Sequence, residues 1–204
     1  MPYSSNTKNM FIPLDNILRR SDQITREANG GNSVLFSYPP EKESEFIAAA
    51  QKHYIEGGVI YGERDRIQAE FVDISKLLVD YIDIDEWNNF SQFYQDMSPN
   101  NHVAFKSDSK DSSYDDEDNV DFFNMIVEAI SDVVSRDKIP ILIRTGCLIG
   151  TGIENVNIME HKKIMALKYP LILFYPSKVV DDTLYFLNFK PASKYRCSLV
   201  QARG

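Results

Sequence analysis

Ile139-Pro140-Ile141-Leu142-Ile143-Arg144-Thr145-Gly146 and, further on, Tyr169-Pro170-Leu171-Ile172-Leu173-Phe174-Tyr175-Pro176 carry the architecture of this chain. Each is a short apolar run bounded by turn residues, the pattern of a strand buried on both faces. The chain between them is long enough for one crossover helix, so the pair predicts a βαβ unit with parallel strands. Neither strand end carries a recognisable nucleophile, metal cluster or phosphate loop, although open α/β sheets keep their chemistry there.

Working outward, Phe11 to Ala28 spaces Phe11, Leu14, Ile17, Leu18 and Ile24 as one helix face, and Asn29-Gly30-Gly31 stops it. Ser33 to Tyr38 predicts a buried strand ended by Pro39-Pro40. Glu41 to Glu56 follows as a helix with Phe46, Ala49, Ala50 and His53 or Tyr54 inward, closed by Gly57-Gly58. Glu70 to Ile74 alternates as a second strand and leads into a helical pattern through Leu77, Leu78 and Tyr81. A further helix is expected over Asp83 to Met97, its Trp87, Phe90, Phe93 and Tyr94 read as core. Val120 to Arg136 is strongly amphipathic, and Asn155 to Lys168 supplies the crossover helix. Thr183 to Phe189 and Tyr195 to Val200 are expected as two last strands, paired antiparallel across Lys190-Pro191-Ala192-Ser193. The whole predicts an α/β fold: a three-layer α/β/α arrangement with a mostly parallel mixed sheet and a C-terminal antiparallel hairpin.

With 204 residues, 43% of them hydrophobic and 25% charged, the chain suits one globular domain over 1–204. Only the segment at about 98–119 loses periodicity; it is rich in Ser, Asp and Asn and is expected as an acidic solvated insertion. Much of the net charge of −8 lies there or just beyond, in Asp108, Asp111, Asp115, Asp116, Glu117, Asp118 and Asp121 against Lys110. That balance weighs against direct binding of DNA, where phosphate neutralisation supplies most non-specific affinity. No apolar run of about 18 residues exists, and the polar opening from Met1 to Lys8 lacks the order of a signal peptide. A cytoplasmic location with no membrane partner is expected, with Cys147 and Cys197 as free, buried thiols.

Candidate chemistry is sparse. Thr145-Gly146-Cys147-Leu148-Ile149-Gly150-Thr151-Gly152 occupies the place of a phosphate loop, but Ile153 and Glu154 stand where Lys and Ser or Thr would hold phosphate and magnesium. A sharp glycine-permitted turn, or a backbone contact to a ligand or partner, fits better. His53, His102 and His161 are far apart with no metal-ligand spacing, and Cys147 with His161 makes no more than a speculative nucleophile pair. The acidic stretch lacks the Gly and Glu of a calcium loop. Arg19, Arg20, Arg26, Arg64, Arg66, Lys162, Lys163 and Lys168 show no aromatic interleaving of a single-strand platform. No cofactor, no metal and no catalytic set are expected.

The strand ending Arg144-Thr145-Gly146, the Leu171 to Pro176 strand, Leu184-Tyr185-Phe186-Leu187 and the closing Lys194-Tyr195-Arg196 together resemble the BrxB family of bacterial BREX phage-exclusion systems. The opening Val34 to Pro40 followed by an acidic helix is similar too, so the resemblance runs from about Asn16 to Val200. Ser177 departs from the family's usual Gly, and Cys147-Leu148-Ile149-Gly150 from its polar and aromatic residues. The resemblance implies a non-catalytic interaction subunit, an adaptor in antiviral defence. Its partner would be a PglZ-like protein of the alkaline-phosphatase superfamily, with ATPase and methyltransferase components in the same system. The partner- or ligand-binding residues expected are Arg144, Thr145, Gly150, Gly152 and Glu154 at the loop, with Tyr175, Tyr195 and Arg196 beside it if the last strands pair as a hairpin. The alternative is a nucleotide- or nucleic-acid-binding module using the glycine loop 145–152.

Overall fold

A computed structural model describes residues 10–62, 66–84 and 122–203. The expected Trp87 helix, the acidic stretch at 98–119, His102 and Arg64 lie outside the described residues. In chain order the elements are α1 (Ile12–Arg19), α2 (Ser21–Glu27), β1 (Ser33–Tyr38), α3 (Glu43–Ala50) running into a π-helical turn (Gln51–Glu56), β2 (Val59–Ile60), β3 (Arg66–Ile67) and β4 (Ala69–Asp73). Then come α4 (Ile74–Ile84), α5 (Phe122–Ser135), β5 (Ile139–Ile143), α6 (Asn155–Met159), α7 (Lys162–Met165), β6 (Leu171–Val180), β7 (Thr183–Phe186), β8 (Lys190–Ala192) and β9 (Ser198–Gln201). Five strands form a parallel sheet in the order β4-β5-β6-β1-β9. The βαβ unit is present, with β5 beside β6 and α6 and α7 in the crossover.

Alternation along each strand sorts the side chains into two layers. Ile172 and Phe174 of β6, Ile139, Ile141 and Ile143 of β5, and Val34, Phe36 and Tyr38 of β1 point to one face, beneath α1, α2 and α3. Leu171, Leu173, Tyr175, Leu142 and Leu35 point to the other, beneath α5, α6 and α7. The fold is thus an α/β arrangement with helices on both faces of a mostly parallel sheet. No helix among the described residues is long and apolar enough to cross a membrane.

The single helix expected over Phe11 to Ala28 is two, broken at Arg20 (φ −108°, ψ 61°). The one expected over Asn155 to Lys168 is also two, parted where His161 is extended. In both cases each half still buries its own apolar residues, so the periodic pattern survives a break in the backbone. The π-helical turn resolves the choice between His53 and Tyr54: both face α1. The Tyr54 hydroxyl donates to Asp15 Oδ1 at 3.0 Å, His53 Nε2 lies 2.9 Å from Oδ2, and the imidazole stacks on Phe11. Burial, and then Asp15, push the Tyr54 phenol up, so it remains a donor.

The largest departure is at the C-terminus. An antiparallel hairpin exists, but its partners are β7 and β8, and β7 also pairs with the bent second half of β6. Residues 190–192, expected as a turn, are a strand. The last strand pairs parallel with β1 on the far side of the sheet.

At the β4 edge, Glu70 accepts hydrogen bonds from Lys138 (2.7 Å) and from both Arg136 nitrogens (2.9 and 2.8 Å). Lys138, then Arg136, hold its carboxyl below the usual range. A folded-state value lowered in this way stabilises above the ordinary carboxylate range, and the gain is lost as pH falls through the depressed value. The pair is part-exposed, so solvent screening limits the gain to under about 1 kcal/mol. Glu70→Gln should therefore be less stable than the native chain at neutral pH, and the gap should close on acidification. Urea melts across pH test this, and a gap that widens in acid refutes it.

Candidate functional site

The C-terminal ends of parallel strands converge on one end of the sheet, where α/β folds keep ligand sites. Here β5 stops abruptly because Arg144 is left-handed (φ 56°, ψ 36°), which turns the chain into a 3-10 turn at Thr145–Leu148. Thr145 is fully buried, and its hydroxyl donates to the Phe174 carbonyl of β6 at 2.9 Å, locking the turn onto the neighbouring strand. The rest of the loop is equally constrained. Thr151 Oγ1 donates to Leu148 O at 2.7 Å and accepts from the Ile153 amide at 3.1 Å. Gly150 and Gly152 supply left-handed backbone (φ 81° and 75°).

The Arg144 guanidinium is half-exposed. Its Nε lies 3.6 Å from Asp73 Oδ2, and Nη1 donates weakly to Ser75 Oγ at 3.4 Å. Asp73 meanwhile caps α4 by accepting from the Ser75 amide at 2.9 Å. Glu154 flanks α6, its amide bonded to Asn157 Oδ1 at 2.8 Å, and its carboxylate meets Lys190 of β8 at 3.0 Å. Tyr175 is buried and stacked on Phe186 of β7, with ring centroids 4.5 Å apart. Its hydroxyl lies 3.3 Å from Asn155 Oδ1. Burial, then Glu154, push that phenol up, so it stays protonated as the donor.

Of these residues, Glu154 and Tyr175 line one narrow cleft with Asn155, together with Leu148, Ile149 and Ile153 of the loop, Phe186 of β7 and Lys190 to Ala192 of β8. Its enclosed space admits about one water molecule. Glu154 and its partner Lys190 both belong to the lining.

Of the expected residues, Glu154 and Tyr175 line the cleft, Arg144, Thr145, Gly150 and Gly152 belong to the loop that leads into it, and Tyr195 and Arg196 are not among the lining residues. The Tyr195 amide donates to Ser193 Oγ at 3.0 Å, and Arg196 comes just before β9, at the N-terminal end of the sheet. There Arg196 pairs with Glu160 at 3.7 Å and its guanidinium lies 5.3 Å from the Tyr195 ring centre. The expected proximity rested on the hairpin pairing, which the β9–β1 register replaces. Sequence reasoning missed Asn155, Phe186 and Lys190. Asn155 is buried and cross-links the site, donating to Ser193 O at 2.8 Å. Its one signal in the sequence is a polar residue where the crossover helix begins.

The thiols do not suit nucleophilic work. Burial first, then Asp73 and Glu43, raise Cys147 against the opposing pull of Arg144, and burial pushes Cys197 up to about 12. Neither is a thiolate at neutral pH. His161 packs edge-on against Phe123 in the helical layer. Among the described residues no group of three His, Cys, Asp or Glu is placed to hold a metal ion. Comparison of the chain with protein-family models, curated proteins and solved structures finds no match.

Proposed function

We propose that this chain is a cytoplasmic, non-catalytic interaction subunit of a BREX-like phage-defence system, docking a PglZ-type partner at the C-terminal end of its sheet. The observation that carries the reading is a water-sized cleft with exposed apolar groups on and beside its walls. Ile149 stands 38% exposed on one wall, and Phe189, next to Lys190 of the other wall, is 66% exposed. A tip aromatic left in water beside a locked loop and a surface ion pair is the composition of a protein-binding patch: an apolar centre with a polar rim.

Co-expression with the PglZ-like protein of the same locus, followed by affinity capture and size exclusion, tests this. The two proteins are expected to co-elute, and Ile149→Asp combined with Phe189→Asp, both at exposed positions, should release the partner while leaving the circular dichroism spectrum unchanged. Separate elution of two folded native proteins would overturn the proposal.

A further inference from the structure

Among the described residues the sheet and its extension end in three outer strands, β4, β8 and β9, and natural edges are blunted with charge, proline or bulges to prevent unwanted pairing. At β4 the carboxylates of Glu70 and Asp73 hold Arg136, Lys138 and Arg144 around the edge. In β8, Pro191 removes an N–H. Ser198-Leu199-Val200-Gln201 of β9 has none of these devices: no charge, no proline and an unbroken register with β1.

The hydrogen-bond register shows which groups that edge offers. In a parallel pair, the N–H and C=O of one residue face the same neighbour, and alternate residues face the other way. The Ala202 amide donates to Ser37 O at 2.8 Å, so Ser198, Val200 and Ala202 face β1. Leu199 and Gln201 therefore direct their backbone N–H and C=O outward, and no strand among the described residues pairs with them.

We propose that this edge joins two copies of the chain, β9 to β9 in antiparallel register across a two-fold axis at Val200. Leu199 of each copy then faces Gln201 of the other, and each pair exchanges two N–H···O bonds. The occupant is assigned from charge. Helix α2 lies against β9, where the Ser198 hydroxyl donates to Ile24 O at 3.2 Å, and it exposes Asp22 and Arg26, which pair with each other at 2.7 Å along the helix and leave their outer sides in water. A two-fold axis sets α2 antiparallel to its copy, so that Arg26 of one faces Asp22 of the other. A surface bearing both signs along one helix is complementary to itself, as an isologous contact requires.

Sedimentation of the full chain over a range of concentrations should show a reversible dimer, with the Leu199 and Gln201 amides protected from hydrogen exchange only at high concentration. Gln201→Pro removes an N–H that no internal bond uses and changes an exposed side chain. It should weaken dimerisation roughly a hundredfold, with an unchanged circular dichroism spectrum. Gln201→Lys, which alters no backbone group, should act in the same direction. Arg26→Glu should weaken the dimer, and adding Asp22→Arg should restore it. A native chain that stays monomeric throughout, or a dimer indifferent to Gln201→Pro, overturns the proposal.

Discussion

Phe174→Ala is expected to lower the free energy of unfolding by about 4 kcal/mol, because it leaves a ring-sized cavity at the meeting point of the helical layer and the central strand. The Phe174 side chain is fully buried and meets the rings of Phe36 (5.1 Å between centroids), Tyr38 (6.0 Å), Phe11 (6.3 Å) and Phe71 (6.3 Å). These come from β1, the segment entering α1, and β4, so no single element can move to fill the space. The same residue's carbonyl anchors Thr145, and loss of order in β6 should loosen the candidate loop as well. Urea unfolding followed by circular dichroism measures the change, and Phe174→Leu should recover more than half of it. A loss below about 1.5 kcal/mol, the range of volume-conserving swaps, would mean that the aromatic cluster is not the keystone described.

Gly31→Ala should cost about 3 kcal/mol, at the upper end of overpacking penalties. A Cβ at Gly31 would sit 2.3 Å from the Arg196 carbonyl oxygen and 3.0 Å from that of Ala28. Both obstacles are backbone, and Arg196 leads directly into β9, so relief requires shifting the edge strand against β1. Gly152→Ala is the informative comparison. Its Cβ would meet nothing within 4 Å, but the backbone is left-handed (φ 75°), so about 1 kcal/mol of conformational strain is the whole expected effect. Thermal and urea melts of the two variants should rank in that order. If Gly152→Ala proves the more damaging, the loop at 145–154 is under tighter constraint than its open surroundings indicate.

The candidate site was partly legible before the fold. Arg144, Thr145, Gly150, Gly152 and Glu154 lie within one short stretch after a strand, so their nearness was a local matter, whereas Tyr175 was expected beside them on a hairpin pairing and reaches the cleft through β6 instead. Lys190 and Phe186 were hidden because they reach the site through β7 and β8, and 190–192 carries a turn-like Lys-Pro-Ala composition. Nothing local in Asn155 marks it as a buried cross-link.

The continuous apolar runs of β1, β5 and β6, the Pro and Gly residues that end them, and the amphipathic spacing of α5 are short-range properties. They establish a parallel α/β core without reference to any neighbour. Strand order is different in kind. Ser198 to Gln201 would alternate equally well in a hairpin with β7 or in a parallel ladder with β1. The choice falls to the ladder because there Ser198 and Val200 are buried on the α1–α2 side. Such burial is set by distant surfaces meeting, and it carried Arg196 to one end of the sheet and left Arg144 and Glu154 at the other.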